Sequence, residues 1–406
     1  MEHIITSQLM NHLEDNNILH PSQHGFRKKR SCETQLLEMT NNISADLEQG
    51  TRTDMIVLDF AKAFDKVNHS LLVHKLHHYG IRGETNQWIK NFLKDREQVV
   101  VVEGSRSSSI HVRSGVPQGS VLGPSLFLVY INDLPDQVMS TSPLFADDTT
   151  VYRGITSDAD TIQLQSDLDA LHDWEVKWDM SFHPDKCVVL AHSRKREAAI
   201  TNYTLHGKQL KQVSSTTILG VTCQDNCEYQ EHINTIATKG NQLLGFLRRN
   251  LKIKNARAKA EGYLTLVRPS LEYASNVWDP HHQTDKEKLE KIQRRAARFV
   301  KNDYKTSSSV SAMINTLNWP LLEDRRKEIR LKMLQKIING EVAVNHNNTI
   351  QPATSRSRRT HSYQLRAIAS SRDYRRESFF PRAIREWNDQ PKDFQPRGSL
   401  QFFGTE

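Results

Sequence analysis

The chain has 406 residues, of which 37% are hydrophobic and 25% are charged, and it carries a formal net charge of +8 at pH 7. This length and apolar content suffice for two or three domains with at least one substantial core, which argues against a largely disordered chain. No run of 18 or more apolar residues occurs, and the N-terminus lacks the basic and then apolar layout of a signal peptide. We therefore expect an intracellular protein without a membrane span.

The excess positive charge is clustered along the chain. One cluster, HGFRKKRS, contains Arg27 to Arg30, and two others, RSRRTHSYQLR and RDYRR, lie near the C-terminus. Clustered Lys and Arg favour a polyanionic partner such as nucleic acid, although any one cluster is also compatible with a solvated surface. Composition alone therefore leaves nucleic-acid binding open.

Four cysteines are present: Cys32, Cys187, Cys223 and Cys227. So few cysteines in an intracellular chain are expected to stay reduced. Cys223 and Cys227 together with His232 suggest zinc, but a fourth ligand is missing and the spacing fits no common zinc site. We therefore predict no zinc site there.

The first half of the chain shows alternating helical and strand patterns. Residues 1–49 have helical spacing of apolar side chains, interrupted at 21–30, and residues 54–60 have the pattern of a buried strand that ends on an acidic residue. The elements predicted after it are a helix around Leu71, Leu72 and Leu76, a hairpin (98–102 and 109–112), a helix (124–134), a strand–turn–strand unit (143–153), a helix (161–178) and a strand (187–191). This order predicts an α+β region.

Beyond about residue 230 the patterns are helical. Leu289, Ile292, Ala296 and Phe299 fall on one face of a helix whose other faces are basic. Such a helix either coats a core or contacts nucleic acid. After about residue 340 the chain is rich in Ser, Arg and Asn, so we expect partial disorder, with a final aromatic segment, SFFPRAIREW, that could dock back.

Two acidic positions stand out: Asp59 at the end of the buried strand, and the pair Asp147 and Asp148 in the turn of a predicted hairpin. Carboxylates gathered at strand ends are costly to bury unless a cation neutralises them. Oxygen ligands favour Mg²⁺ or Mn²⁺, and two such ions could stabilise an attacking oxygen and a leaving pyrophosphate. The alternative is that Asp59 caps the next helix and the pair are ordinary turn residues.

Six sequence motifs occur in a recognisable order. LDFAKAFDKVNH, SGVPQGSVLGPSLFLVYINDL and LFADDTTVY resemble the three palm motifs of a reverse transcriptase. HGFRKKRSCETQL before them, and SFHPDKC and TILGV after them, resemble neighbouring motifs of that family, in wording most similar to non-LTR (LINE-type) retrotransposon enzymes. The resemblance covers about residues 3–300.

The resemblance implies an α+β, right-hand polymerase fold. Its expected parts are a partial fingers region (1–50), a palm with inserted fingers elements (51–225), an α-helical thumb-like region (226–340) and a basic, partly disordered C-terminal region (341–406). The implied activity is that of an RNA-directed DNA polymerase, which adds dNTPs to a DNA primer on an RNA template.

The resemblance also implies roles for the acidic residues. Asp59, Asp147 and Asp148 would be catalytic ligands of two Mg²⁺ or Mn²⁺ ions, with Asp59 and Asp147 the firmer ligands, and the Phe60 carbonyl would also face a metal. Lys186 in SFHPDKC would protonate the departing pyrophosphate, the alternative being an ordinary exposed lysine.

Four residues match nucleotide-binding positions. Phe64 would stack under the incoming sugar and exclude a ribose 2′-hydroxyl, unless it is a core aromatic. Gln118 would line the pocket near the 3′-hydroxyl, unless it faces water. Arg27 and Arg30 match a fingers segment that binds triphosphate or template, because guanidinium groups suit phosphate oxygens.

The remaining matched positions concern the nucleic acid. Leu219 and Gly220 match the turn that grips the primer strand. On the basic helix, Lys291, Arg294 and Arg298 are the candidate contacts to primer and template.

The family normally carries a further fingers segment before the HGF motif and often an upstream endonuclease, so the resemblance suggests a chain truncated at its N-terminus. A decayed copy that only binds nucleic acid, and a non-enzymatic RNA-processing factor of the same fold, remain alternatives. Reverse transcription at a chromosomal nick implies the nucleus, but the chain shows no clear import signal, so nucleus and cytoplasm both remain open.

Overall fold

The computed structural model describes residues 1–194, 202–346, 349–354, 361–394 and 396. The chain divides into two compact units, which are described separately below. Unit 1 comprises Met1–Gln35 and Thr51–Ser214, and unit 2 comprises Leu36–Gly50 and Ser215–Glu406. No helix in the described ranges combines the length and the apolar character needed to span a bilayer. The four-part division expected from the resemblance stays a prediction.

Seven helices and eleven strands precede residue 215 in the described ranges. The helices are α1 (Glu2–Asp15), α2 (Cys32–Glu48), α3 (Ala63–Lys66), α4 (His69–His78), α5 (Gly83–Leu93), α6 (Gly123–Ile131) and α7 (Asp158–Trp178). The strands are β1 (Arg52–Leu58), β2 (Arg96–Gln98), β3 (Val101–Val102), β4 (Ser105–Arg106), β5 (Ile110–Val112), β6 (Leu144–Phe145), β7 (Asp148–Ile155), β8 (Val188–His192), β9 (Thr204–Leu205), β10 (Lys208–Gln209) and β11 (Lys211–Val213). A 3₁₀ turn spans Pro135–Gln137.

Unit 1 is built on a five-stranded sheet in the order β11-β8-β1-β7-β6. β1 pairs antiparallel with both β7 and β8, and β11 pairs parallel with β8. Met55, Ile56 and Leu58 of β1 are fully or almost fully buried. A continuous apolar run suits this central position, where both faces of the strand are covered.

Helices α6 and α7 cover this sheet and share its core. Pro124 occupies the first turn of α6, where its missing N–H is tolerated. Helix α7 begins three residues before the predicted start because Ser157 and Asp160 form a capping box. The helices and strands expected up to β8 occur in the expected order, with shifts of a few residues at their ends, but α3, α5 and the β3–β4 hairpin were not predicted.

One lysine is buried within this helical layer. Lys75 on α4 pairs with Asp133 Oδ1 at 2.6 Å, and its ammonium lies 3.6 Å from the ring centroid of Trp178. Burial lowers the pKa of Lys75 to about 8, against the opposing effect of Asp133. The stem of the lysine is part of the core, and its charge is held by one carboxylate and aromatic faces.

Unit 2 is mainly helical. It contains the hairpin β12 (Ser215–Ile218) and β13 (Val221–Gln224), and then helices α8 (Gln230–Asn250), α9 (Ala256–Gly262), α10 (Arg268–Glu272), α11 (Ser275–Trp278), α12 (Gln283–Lys301), α13 (Val310–Thr316), α14 (Leu322–Ile338), α15 (Asp373–Arg376) and α16 (Phe379–Asn388), with a π-helical turn at Tyr263–Val267. Most of α2 also belongs to this unit. On α12 the predicted apolar face is confirmed, since Leu289, Ile292, Ala296 and Phe299 are all buried.

The C-terminal aromatic segment docks within unit 2. Phe380 and Trp387 of α16 are each 1% exposed, and α16 packs against α14. Asp279 is buried among the guanidinium groups of Arg330 and Arg382, at 2.6 and 3.1 Å. The docking expectation is confirmed. The expectation of partial disorder covers residues 341–406, of which 347–348, 355–360, 395 and 397–406 lie outside the described residues.

Candidate functional site

The three aspartates meet at one end of the central strand pair of unit 1. Leu58, the last residue of β1, lies opposite Thr149 on β7, and Asp148 lies opposite Phe145 across the β6–β7 hairpin. Asp59 directly follows Leu58, and Ala146 and Asp147 form the tight hairpin turn. This register gathers Asp59, Asp147 and Asp148 at the same edge, as the sequence predicted.

The electrostatics of the cluster reflect crowded carboxylates. Burial raises the pKa of Asp147, and the charge of Asp59 raises it further. Burial likewise raises the pKa of Asp148, reinforced by Asp147 and then Asp59. Such mutual repulsion is relieved by a cation, which would lower the pKa values of Asp147 and Asp148. The donor set consists of oxygen atoms only, so the residues fit a hard divalent ion such as Mg²⁺ or Mn²⁺.

The backbone of Asp59 is held by the segment before β8. The N–H of His183 donates to the Asp59 carbonyl at 2.7 Å, and the Asp59 N–H lies 3.5 Å from Cys187 Sγ. Lys186, whose side chain is 62% exposed, forms an ion pair with Asp59 Oδ2 at 3.2 Å. Within the described residues that oxygen is shielded from solvent and has no partner with hydrogen-bond geometry. The SFHPDKC segment thus fixes the backbone of Asp59, and Lys186 supplies a positive charge beside its carboxylate.

The VPQGS loop is fastened to the turn that carries Phe64. The N–H of Val116 donates to the Phe64 carbonyl at 2.8 Å, and the N–H of Gly115 donates to the Val67 carbonyl at 2.8 Å. Gly115 has φ +88°, and a Cβ there would lie 2.8 Å from the Asp65 backbone. Only glycine meets both demands without strain. Gly115 therefore allows the VPQGS loop to approach the turn that carries Phe64 closely.

Phe64 and Gln118 lie on the two fastened segments. The ring of Phe64 stacks on Phe127 with centroids 4.2 Å apart and remains partly exposed. Gln118 is exposed, and its amide Nε2 donates to Asp65 Oδ1 at 3.0 Å. Phe64 therefore has one face on the core and an accessible edge. Asp65, which the sequence reasoning did not single out, orients Gln118.

Arg27 and Arg30, the two arginines expected to meet triphosphate or template, differ in their surroundings. Arg27 donates from Nε and Nη2 to both oxygens of Glu14, at 2.9 and 2.6 Å, and from Nη1 to the His20 carbonyl at 2.8 Å. Its guanidinium is only 9% exposed. Arg30 is partly exposed and donates to the Pro21 carbonyl at 2.7 Å. Arg27 therefore supports the local fold, whereas Arg30 is the more accessible cation.

In unit 2, Leu219 and Gly220 form the two-residue turn between β12 and β13. Both have positive φ, +47° and +80°, which is uncommon for leucine. The hydroxyl of Tyr273 donates to the Leu219 carbonyl at 2.9 Å, and a Cβ on Gly220 would lie 3.1 Å from the Tyr273 ring. Tyr273 thus holds the turn in place. No local spacing signal pointed to this residue.

The basic residues predicted on α12 are unequal. Lys291 and Arg294 are exposed. Arg298 is partly buried and donates to the carbonyls of Lys305, at 2.8 Å, and Asp303, at 3.3 Å. Arg298 therefore fastens the loop after α12, and the accessible charge of this face lies on Lys291 and Arg294.

Comparison with known proteins identifies the family. Residues 1–223, more than half of the chain, match the family described as reverse transcriptase (RNA-dependent DNA polymerase). The chain belongs to the reverse transcriptase family. This family generally uses divalent metal ions, in agreement with the oxygen donors gathered at the aspartates.

Related reverse transcriptases come from insect mobile elements. The chain is 28% identical to the RNA-directed DNA polymerase from mobile element jockey of Drosophila funebris, over 83% of this chain and 38% of the relative. It is 28% identical to the probable RNA-directed DNA polymerase from transposon BS of Drosophila melanogaster, over 74% of this chain and 34% of the relative. These similarities confirm the expected non-LTR retrotransposon type. The chain spans little more than a third of the length of these relatives.

The solved structures that align with the chain include telomerases. The apo telomerase from Candida Tropicalis aligns with a TM-score of 0.46 and 12% sequence identity, covering 84% of this chain and 54% of that chain.

Proposed function

We propose that this chain is the polymerase part of a non-LTR retrotransposon reverse transcriptase, which extends a DNA primer with dNTPs on an RNA template. The observation that carries the proposal is the convergence of Asp59, Asp147 and Asp148 at the edge of the β1–β7 pair. Family membership alone is compatible with a remnant that only binds nucleic acid. An intact carboxylate cluster favours the catalytic reading.

The carboxylates of Asp59, Asp147 and Asp148 would hold two Mg²⁺ or Mn²⁺ ions. Two such ions, when bound, stabilise the attacking 3′-oxygen and the leaving pyrophosphate oxygen. The Asp59 carbonyl faces His183, so alternation along the extended chain directs the Phe60 carbonyl to the opposite edge, toward the β6–β7 hairpin. That direction supports Phe60 as an additional oxygen ligand.

The incoming nucleotide would lie against the fastened loops. Phe64, supported from behind by Phe127, would present its ring to the sugar and leave no room for a 2′-hydroxyl. Gln118, oriented by Asp65, would line the pocket near the 3′-hydroxyl. Arg27 and Arg30 both remain candidates for contact with the triphosphate or template, and the charge of Arg27 is already paired with both oxygens of Glu14.

Lys186 would supply the proton for the leaving pyrophosphate. Its Nζ lies 3.2 Å from Asp59 Oδ2, so it is adjacent to the reacting centre while remaining largely exposed. In unit 2, the Leu219–Gly220 turn would contact the primer strand, and Lys291 and Arg294 would contact phosphates of the primer and template.

Primer extension on an RNA template with added Mg²⁺ tests the proposal. Asp59→Asn and Asp147→Asn should each abolish extension while template binding stays nearly intact, because each removes a metal ligand and little contact surface. The expected loss is several kcal/mol of transition-state stabilisation, and Asp148→Asn should be milder. Asp95→Asn, the same change at an 81% exposed side chain, is the matched control.

Template binding without any extension by the parent chain would instead identify a binding remnant. Near-normal extension by Asp59→Asn or Asp147→Asn would contradict the metal assignment.

A further inference from the structure

A second group of potential metal ligands lies in unit 1, away from the aspartates in sequence. His172 and Glu175 are one turn apart on α7, and His206 lies in the turn between β9 and β10. One ligand atom from each of the three lies within 4.8 Å of the others. Among the described residues, this is the only group of three or more His, Cys, Asp or Glu side chains with that property.

Glu175 is the centre of this group. Its side chain is 3% exposed, and its Oε1 accepts a hydrogen bond from the N–H of Phe182. Its Oε2 lies 2.7 Å from His206 Nε2 and 3.4 Å from His172 Nδ1. A buried carboxylate must be compensated. The N–H of Phe182 compensates Oε1. Oε2 is compensated either by protons on the two imidazoles or by a metal ion bound together with them.

The ligand types and spacing suit a transition metal. Two imidazoles and one carboxylate form the three-ligand set of zinc sites that keep a fourth position open, and imidazole selects Zn²⁺ and similar ions over Mg²⁺. Metal–ligand distances near 2.0–2.1 Å in tetrahedral geometry separate ligand atoms by about 3.3 Å. The 3.4 Å separation of Glu175 and His172 is close to this value, and the pair with His206 would widen by about half an ångström.

The surroundings allow an ion to enter. The His172 side chain is 48% exposed and that of His206 is 26% exposed, so one side of the group is open to solvent while Glu175 closes the other. The ring centroids of the two histidines are 4.6 Å apart, with neither ring stacked flat on the other. Nδ1 of His172 and Nε2 of His206 accordingly both lie near Glu175 Oε2.

We propose that His172, Glu175 and His206 bind one zinc-class divalent ion that ties the β9–β10 hairpin to α7. Its ligand residues differ from the aspartates proposed to hold Mg²⁺ or Mn²⁺, and its two nitrogen donors favour a different class of ion. The bound ion would join two elements that are distant in the chain and would keep its fourth position open to water.

Zinc binding by the chelator-stripped chain tests this proposal. Zn²⁺ is titrated in competition with a chromophoric chelator, in excess Mg²⁺ so that the aspartates do not compete. The expected result is one tight equivalent whose affinity falls at least about 100-fold in His206→Asn. Asparagine suits this position because His206 has φ +53°, a conformation that asparagine tolerates. Co²⁺ in place of Zn²⁺ should give the visible absorption of a tetrahedral site, absent in the variant.

His78→Asn is the matched control. His74 and His78 are exposed and four residues apart on α4, so they form the most obvious alternative pair for a zinc ion. Tight binding that survives in His78→Asn and is lost in both His206→Asn and the exposed His172→Asn supports the proposal. Absence of tight binding by the parent, or its loss in His78→Asn alone, overturns it and leaves a hydrogen-bonded His–Glu–His group.

Discussion

The glycine at position 115 provides a quantitative test of how the VPQGS loop is held. In Gly115→Ala, the new Cβ would lie 2.8 Å from the Cα and carbonyl oxygen of Asp65 and 2.9 Å from the Phe64 carbonyl oxygen. These are backbone atoms, so they cannot rotate away. The left-handed φ adds roughly 1–2 kcal/mol, and the crowding adds about 1–3 kcal/mol. Together they predict a loss of about 2–5 kcal/mol in the free energy of unfolding.

Gly119→Ala is the internal control for this substitution. Gly119 has nearly the same φ, +80°, but among the described residues no neighbouring atom lies within 4 Å of a Cβ there. Gly119→Ala therefore loses stability only through its left-handed φ. The effect of alanine on the entropy of the unfolded chain is the same in both variants. The difference between them, about 1–3 kcal/mol, isolates the contact with the Phe64–Asp65 turn.

Urea unfolding of both variants, followed by tryptophan fluorescence, measures this difference. Because the clash moves the turn that carries Phe64, Gly115→Ala should also change the ratio of rNTP to dNTP incorporation, whereas Gly119→Ala should change it less. Equal stability of the two variants would refute the reasoning, since it would mean that the loop does not press on the turn.

Three further outcomes follow from individual side chains. Phe64→Ala should raise rNTP relative to dNTP incorporation in primer extension, since removing the ring opens space for the 2′-hydroxyl; an unchanged ratio would make Phe64 a core residue only. Joint replacement of Lys291 and Arg294 by glutamine should flatten the slope of log template affinity against log salt by up to about two, whereas Arg298→Gln should change it less, because its donors face carbonyls. The pKa of Lys75 is about 8 in the folded chain and 10.5 ordinarily, so between these pH values the unfolded chain binds more protons than the folded chain. The free energy of unfolding of the parent should therefore rise with pH over this range, by about 3 kcal/mol in all. Lys75→Met should remove that rise in urea unfolding measured from pH 7 to 10.5, and parallel curves for parent and variant would contradict the buried charge.

The sequence was informative where a pattern repeats over several residues. The continuous apolar run of β1 and the acidic turn between β6 and β7 predicted the two elements that carry the aspartates, and the family resemblance implied that Asp59, Asp147 and Asp148 lie together. The helical face of α12 was equally predictable, because four apolar residues recur at helical spacing. The five strands between Thr204 and Gln224 were missed as strands, since segments of two to four residues are too short to show a period of two.

Roles that depend on distant partners were beyond the sequence. Arg27 and Arg30 look equivalent in HGFRKKRS, and only the position of Glu14 on α1 separates them. Likewise Arg298 continues the basic pattern of its helix, but the loop at Asp303 and Lys305 takes its donors. In the sequence, Lys75 is an ordinary polar position in a predicted helix. Only the folded structure shows that three aromatic rings surround its ammonium group. In each case a tertiary contact decides which like charge stays accessible.

The composition of unit 2 has a consequence for synthesis on the ribosome. Helix α2 is made early, yet its buried face belongs to the unit that is made last, and Arg375 donates to the Asn41 carbonyl and the Ser44 hydroxyl across more than 330 positions of sequence. At about 5–20 residues per second, α2 would wait roughly 20–70 s for its partner. All residues of unit 1 are synthesised before that partner emerges. During that interval the apolar face of α2 lacks its final partner, so we expect the nascent chain to expose apolar surface of the kind that chaperones bind.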